Sequence, residues 1–164
     1  MNIFQTALLL SAFLCSMVAG FLFSYAVVVM PGIKNLNDRD FIRTFQVTDR
    51  IIQNNHPIFM LVWIGSAIAI IVSALYGIGR LEGVDLFLLV LATLAYVLGV
   101  QVPTIAIHLP LNNKLQTLDV DAMNETDIKL ARHDFEPRWN TSNLIRTAIA
   151  SCVSVLLLLI LFRQ

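Results

Sequence analysis

Residues 57–79, PIFMLVWIGSAIAIIVSALYGIG, and residues 86–113, LFLLVLATLAYVLGVQVPTIAIHLPLNN, contain no charged side chain; between them lies only RLEGVD, residues 80–85. Each run reaches or exceeds the ~20 residues a helix needs to cross ~30 Å of hydrocarbon. A soluble helix would alternate an apolar and a polar face, and these runs do not. The turn GIGRLEGVD, residues 77–85, is Gly-rich and short enough to make the two an antiparallel hairpin. Working outward, Ile3 to Val29 is also free of charge, and Leu144 to Phe162 carries only Arg146. The reading is an all-α membrane protein, a bundle of four transmembrane helices near residues 3–30, 57–79, 86–108 and 140–162.

Composition agrees. The 164 residues are 57% hydrophobic and 13% charged, with a formal net charge of zero; soluble domains carry about 25% charged residues. The first run has no Lys or Arg ahead of it and exceeds the ~7–15 residues of a signal-peptide core, so it reads as a retained span. Cys15 and Cys152 lie within spans and read as packing residues. No domain boundary, repeat or low-complexity tract divides residues 1–164, which read as one domain. The chain shows no basic patch with interleaved aromatics, no phosphate-binding Gly-rich loop and no nucleophile elbow. Nucleic acid is therefore not an expected partner; the bilayer is, and a homo-oligomer is compatible with the pattern.

Both long connections, Pro31 to His56 and Leu109 to Trp139, fall on one side. That side holds Lys34, Arg39, Arg43, Arg50, Lys114, Lys129, Arg132 and Arg138, against Arg80 and Arg163 on the other. The positive-inside rule puts these connections in the cytoplasm and both termini outside. The connections read as amphipathic helical segments. Phe41, Phe45, Thr48 and Ile52 recur at steps of 4, 3 and 4, the period of a helix with one apolar face, starting at Asn37 or Asp38 and docking at the membrane surface or running on to a kink at Pro57. Asn124 can cap a second helix, and Pro137 suits the first turn of the fourth span.

Polar residues gather at the same end. Gln46, Asp49, Gln53 and His56 form one stripe; Gln101, Thr104, His108 and Asn112 form another, inside the third span; Trp139, Asn143 and Arg146 form a third. Against a solvated face, an interfacial tryptophan and a snorkelling arginine stands a pocket. A polar group facing lipid loses its hydrogen bonds to water, and an intramembrane arginine costs ~2.5–3.5 kcal/mol on insertion scales. Both favour an inward-facing site, with Arg146 directed at Asp49 or a bound anion. On helix 1, Ser16, Gly20 and Ser24 form a small-residue face that could admit a neighbouring helix.

In order and spacing, "AGFLFSYAVVVMPGI", "RTFQVTDRIIQNNHPIF", "HLPLNNKL" and "RWNTSNLIRT" resemble the anthrone oxygenase-like family of small four-helix membrane proteins. His108 stands where relatives often have Asn, and Asn143 where some have His. The resemblance implies oxidation of anthrones to anthraquinones with O₂ and without flavin or haem. The corresponding expectation is a membrane-embedded oxygenase or oxidase acting on an apolar phenolic, anthrone-like or quinol-like molecule that enters from the bilayer. His108 or His56 would serve as base and Arg146 as oxyanion holder. Gln46, Asp49, Gln101, Asn112, Trp139 and Asn143 would bind substrate, with no cofactor. Two other readings stand beside it: a metal or haem protein using His56, His108 and His133, and a non-catalytic membrane assembly factor, transporter or lipid binder.

Overall fold

The computed structural model describes residues 2–164. Among them every element is helical: α1 (Ile3–Ile33), α2 (Asp38–Gln53), α3 (Pro57–Gly77), α4 (Gly83–Gln116) and α5 (Glu125–Arg163). Four of these, all but α2, are long and apolar enough to cross a membrane, and the chain is an integral membrane protein. Helix starts follow local chemistry. Asn2 and Gln5 form a reciprocal capping box, Asn37 accepts from the Asp40 amide at 2.9 Å, Asn124 accepts from the Asp127 amide at 2.9 Å, and Pro57 takes the first turn of α3. Side-chain oxygens satisfy amides that the first helical turn leaves unpaired.

Three expectations need correction. Pro137 does not open the fourth span but lies inside α5, which runs unbroken from Glu125. An internal proline costs a helix about 3 kcal/mol. Here Ile128, Phe135 and Trp139 are buried to either side of it, and that burial offsets the lost backbone bond. Second, the Gln46 stripe does not reach His56. Helix α2 stops at Gln53, Asn55 adopts a left-handed φ of 54°, and His56 is exposed. Third, Gly20 and Ser24 face outward, and a Cβ at Gly20 would meet nothing within 4 Å. The close approaches are elsewhere: a Cβ at Gly99 would lie 2.7 Å from Ile149 Cδ1.

Helix α1 packs on α3 and α5, and α4 packs on the same two, closing a four-membered ring. Leu8, Cys15, Leu22, Ile70, Leu89, Tyr96 and Leu157 fill its interior. Two hydroxyl pairs cross it, Ser11–Ser73 at 2.8 Å and Ser66–Tyr96 at 2.7 Å. A second cluster, including Phe41, Phe45, Leu115, Phe135 and Trp139, seats α2 across the ends of α4 and α5. Arg132 fastens that roof. Its guanidinium donates to the Lys34 and Leu36 carbonyls and to Asp38 and Glu136, and it lies 4.2 Å above the Phe41 ring. Arg39 adds donations to Glu125 and to the Val120 and Met123 carbonyls.

Candidate functional site

Three π-helical turns shape the bundle below this roof: Tyr25–Val29 in α1, and Val97–Gln101 and Thr104–His108 in α4. Each ends two residues before a proline, namely Pro31, Pro103 and Pro110. Proline supplies no amide hydrogen and its ring crowds the carbonyl four residues back; a widened turn relieves both, and such turns occur often at functional sites. Tyr25, Gln101, Thr104 and His108, all within these turns, line one cavity of about 420 Å³. Its wall is mainly apolar and aromatic, with Phe21, Phe45, Phe59, Trp63 and Trp139, and its polar groups include Asp49, Asn112 and Arg146.

Arg146 is only 4% exposed. Its guanidinium donates to Thr104 Oγ1 at 2.8 Å, Asn143 Oδ1 at 2.9 Å and His108 Nδ1 at 3.1 Å; its Nε has no partner. No carboxylate lies within salt-bridge distance among the described residues. The expected pairing with Asp49 does not form. These contacts define the imidazole. Arginine can only donate, so Nδ1 of His108 accepts. Nε2 then carries the hydrogen and donates to Ser142 Oγ at 2.9 Å. His108 is held neutral in one tautomer.

Asp49, 2% exposed, takes three amide donors: Asn112 at 2.8 Å, Gln53 at 3.1 Å and Gln116 at 3.2 Å. Burial pushes its carboxyl above the usual carboxylate range, and the amides of Gln53, Gln116 and Asn112 pull it partly back. The Trp139 indole donates to Asn112 Oδ1 at 2.9 Å. Since indole only donates, Asn112 Oδ1 faces Trp139 and its amide nitrogen faces Asp49, which gives the Asn112 amide one consistent orientation. The Trp139 ring meets His108 edge to face at 5.1 Å between centroids. It is therefore a buried wall, not an interfacial anchor.

The structure brings together Asp49, Gln101, His108, Asn112, Trp139 and Arg146. Asn143 stands behind Arg146, accepting from it and donating to the Leu22 carbonyl at 3.2 Å. Gln46 lies outside the cavity lining. Its amide clamps the Leu115 and Leu118 carbonyls at 2.8 and 3.0 Å, tying α2 to the end of α4. His56 and His133 are exposed and outside the cavity lining. The described residues hold no group of three or more His, Cys, Asp or Glu placed for a metal ion, so His56, His108 and His133 do not form the ligand set considered from sequence.

Sequence reading did not assign Ser142 or Gln116 to the site. Both carry a helical signal: Ser142 is four residues before Arg146, and Gln116 extends the 101–104–108–112 stripe by one turn. Phe59 and Trp63, also four apart, stack at 5.6 Å; in an apolar run nothing separates such a pair from ordinary packing.

A family model described as anthrone oxygenase matches residues 51–156. The match takes in the polar cluster around Arg146 and leaves out α1, Gln46 and Asp49. Neither the curated proteins nor the solved structures give a match to this chain.

Proposed function

The chain belongs to the anthrone oxygenase family, and from that premise we propose that it oxidises a flat, apolar, phenolic, anthrone-like or quinol-like substrate with O₂ in the cavity beneath α2. One observation carries this reading: a buried guanidinium lines a largely apolar cavity and has no carboxylate partner. In a medium of low polarity such a charge favours an anion placed beside it. Loss of a proton from an anthrone-like ring system yields an anion whose charge spreads to oxygen. The anion is electron-rich enough to react with O₂. For a methylene substrate the balance is CH₂ plus O₂ to C=O plus H₂O: one oxygen atom becomes the new carbonyl, and the other leaves as water with the two methylene hydrogens.

Arg146 holds the oxyanion. Trp139, Phe59 and Trp63 offer flat apolar faces to the rings. In this reading the base is not a histidine. His56 is exposed, and the free lone pair of His108 already accepts from Arg146. Asp49 is the group suited to take the proton, since its raised pKa makes it a stronger base than an ordinary carboxylate. His108, Asn143 and Thr104 position Arg146. The proposal includes no resident cofactor.

The test uses the purified protein in lipid nanodiscs with anthrone as the probe, following O₂ uptake and anthraquinone absorbance. Wild type is expected to exceed background autoxidation, and Arg146→Met to lose about 100-fold or more, the scale of a removed oxyanion donor. Arg163→Ala should turn over like wild type, because Arg163 pairs with Asp85 at 2.8 Å in the other half of the bundle. Background rates in every sample, with anthrone still quenching tryptophan fluorescence, would favour a non-catalytic binder. Elemental analysis and an absorption spectrum of the same preparation test the metal and haem readings.

A further inference from the structure

Two further cavities lie between α4 and α5, and they meet at Pro137 and Arg138. The first, of about 550 Å³, is a largely apolar groove over Pro103, Ile107, Thr141 and Ile145. These residues belong to the membrane-crossing part of the two helices, and Ile145 is 55% exposed. The second, of about 530 Å³, lies toward the long connections and is lined by Lys114, His133, Asp134 and Arg138 among others. Its charges are two cations and one acid. Lys114 sits 3.7 Å from Asp134, leaving Arg138 without an ionic partner among the described residues.

An apolar trough that opens at its end onto a net positive cluster has the polarity of a single amphiphile. We infer that this groove binds an anionic glycerophospholipid, with one acyl chain along Ile107 and Ile145 and the phosphate between Arg138 and Lys114. Guanidinium and ammonium groups are the side chains suited to phosphate. Basic pockets between transmembrane helices near the interface select anionic headgroups. A zwitterionic lipid would bring its own cation to the same cluster and lose that advantage. The site stands apart from the oxidation chemistry, yet the groove shares Ser142 and Arg146 with the region of the buried cluster. A seated chain would thus lie against the outer side of the wall that holds His108.

Native mass spectrometry of the protein released from mixed micelles tests this. The probes are dioleoyl phosphatidylglycerol and dioleoyl phosphatidylcholine in equal amounts. Wild type should retain the phosphatidylglycerol preferentially. Arg138→Gln and Lys114→Gln should each weaken retention about fivefold, the worth of one interfacial charge. Ile145→Trp, which fills the apolar limb without touching the charges, should weaken it as well. All three side chains are exposed, and matching lipid-free melting temperatures will show that each variant is folded. Equal retention of the two lipids overturns the proposal. So does unchanged retention in the charge variants, or in Ile145→Trp. Displacement by inorganic phosphate at the lipid's own concentration would overturn it too, because then the acyl chain contributes nothing.

Discussion

Arg146 has no acid to neutralise it, and this reverses the stability argument that a buried ion pair would give. Breaking such a pair costs ~3–5 kcal/mol, but here no pair exists to break. Arg146→Met leaves Asn143 Oδ1 and His108 Nδ1 without a donor, at about 1–3 kcal/mol each. It also removes a desolvated cation whose burial costs several kcal/mol. The two terms are of one size and opposite sign. Thermal stability should therefore change little while anthrone turnover falls. A melting temperature that drops steeply with turnover would show that Arg146 is a structural tie.

Asp49 makes the second residue-scale prediction, and its sign follows from its raised pKa. The folded state favours the neutral carboxyl more than the unfolded chain does. The stabilisation is therefore full below the unfolded value of about 3.9 and is lost as pH rises through the higher folded value. Wild type should gain stability relative to Asp49→Asn as pH falls from about 7 toward about 4, measured by thermal unfolding in detergent. On the proposed role of Asp49 as base, turnover runs the other way, since a base must be ionised to take a proton. It should rise with pH through the folded pKa, and Asp49→Asn should lose about 10²–10⁴-fold. A flat stability difference across that range would contradict the burial argument.

At the scale of elements, α4 is built for position more than for stability. Pro103 and Pro110 remove amide hydrogens from inside α4, and the two wide turns before them set the angles of Gln101, Thr104 and His108. Pro110 is exposed, so Pro110→Ala gives up little packing and restores a backbone donor. The variant should melt higher, by at most the ~3 kcal/mol an internal proline costs. It should turn over anthrone more slowly, because a regular turn at Thr104–His108 re-aims His108 away from Arg146. Higher stability with unchanged turnover would mean that the wide turn has no part in positioning.

For the whole molecule, the roof formed by α2 places both long connections at one end of the bundle. Cysteines introduced at Asn35 and Thr126, in a Cys152→Ser background, should label from the same side of the membrane, and one at Glu82 from the opposite side. The excess of Lys and Arg near the roof predicts that its side is cytoplasmic. Labelling of the first two from opposite faces would contradict the architecture; labelling of both from outside would overturn only the orientation.

Hydropathy and helical period were enough to reveal the four spans, the amphipathic α2, its start at Asn37 or Asp38 and the clustering of polar residues at one end. These are local properties: a run of apolar residues long enough to cross a bilayer has few other stable conformations. The tertiary structure decided which partner each polar group finds. Arg146 and Asp49 line one cavity yet do not pair, His56 falls outside because α2 stops three residues short of it, and Gln46 clamps backbone carbonyls away from the cavity. Pro137 was read as a helix start because a proline's local cost is visible in sequence, while the burial of Phe135 and Trp139 that offsets it is not. Partner choice depends on the rotation of one helix against another to within a fraction of a turn. That rotation is set by wide turns, close approaches such as Gly99 on Ile149 and the seat of α2, all of which come from residues far apart in the chain.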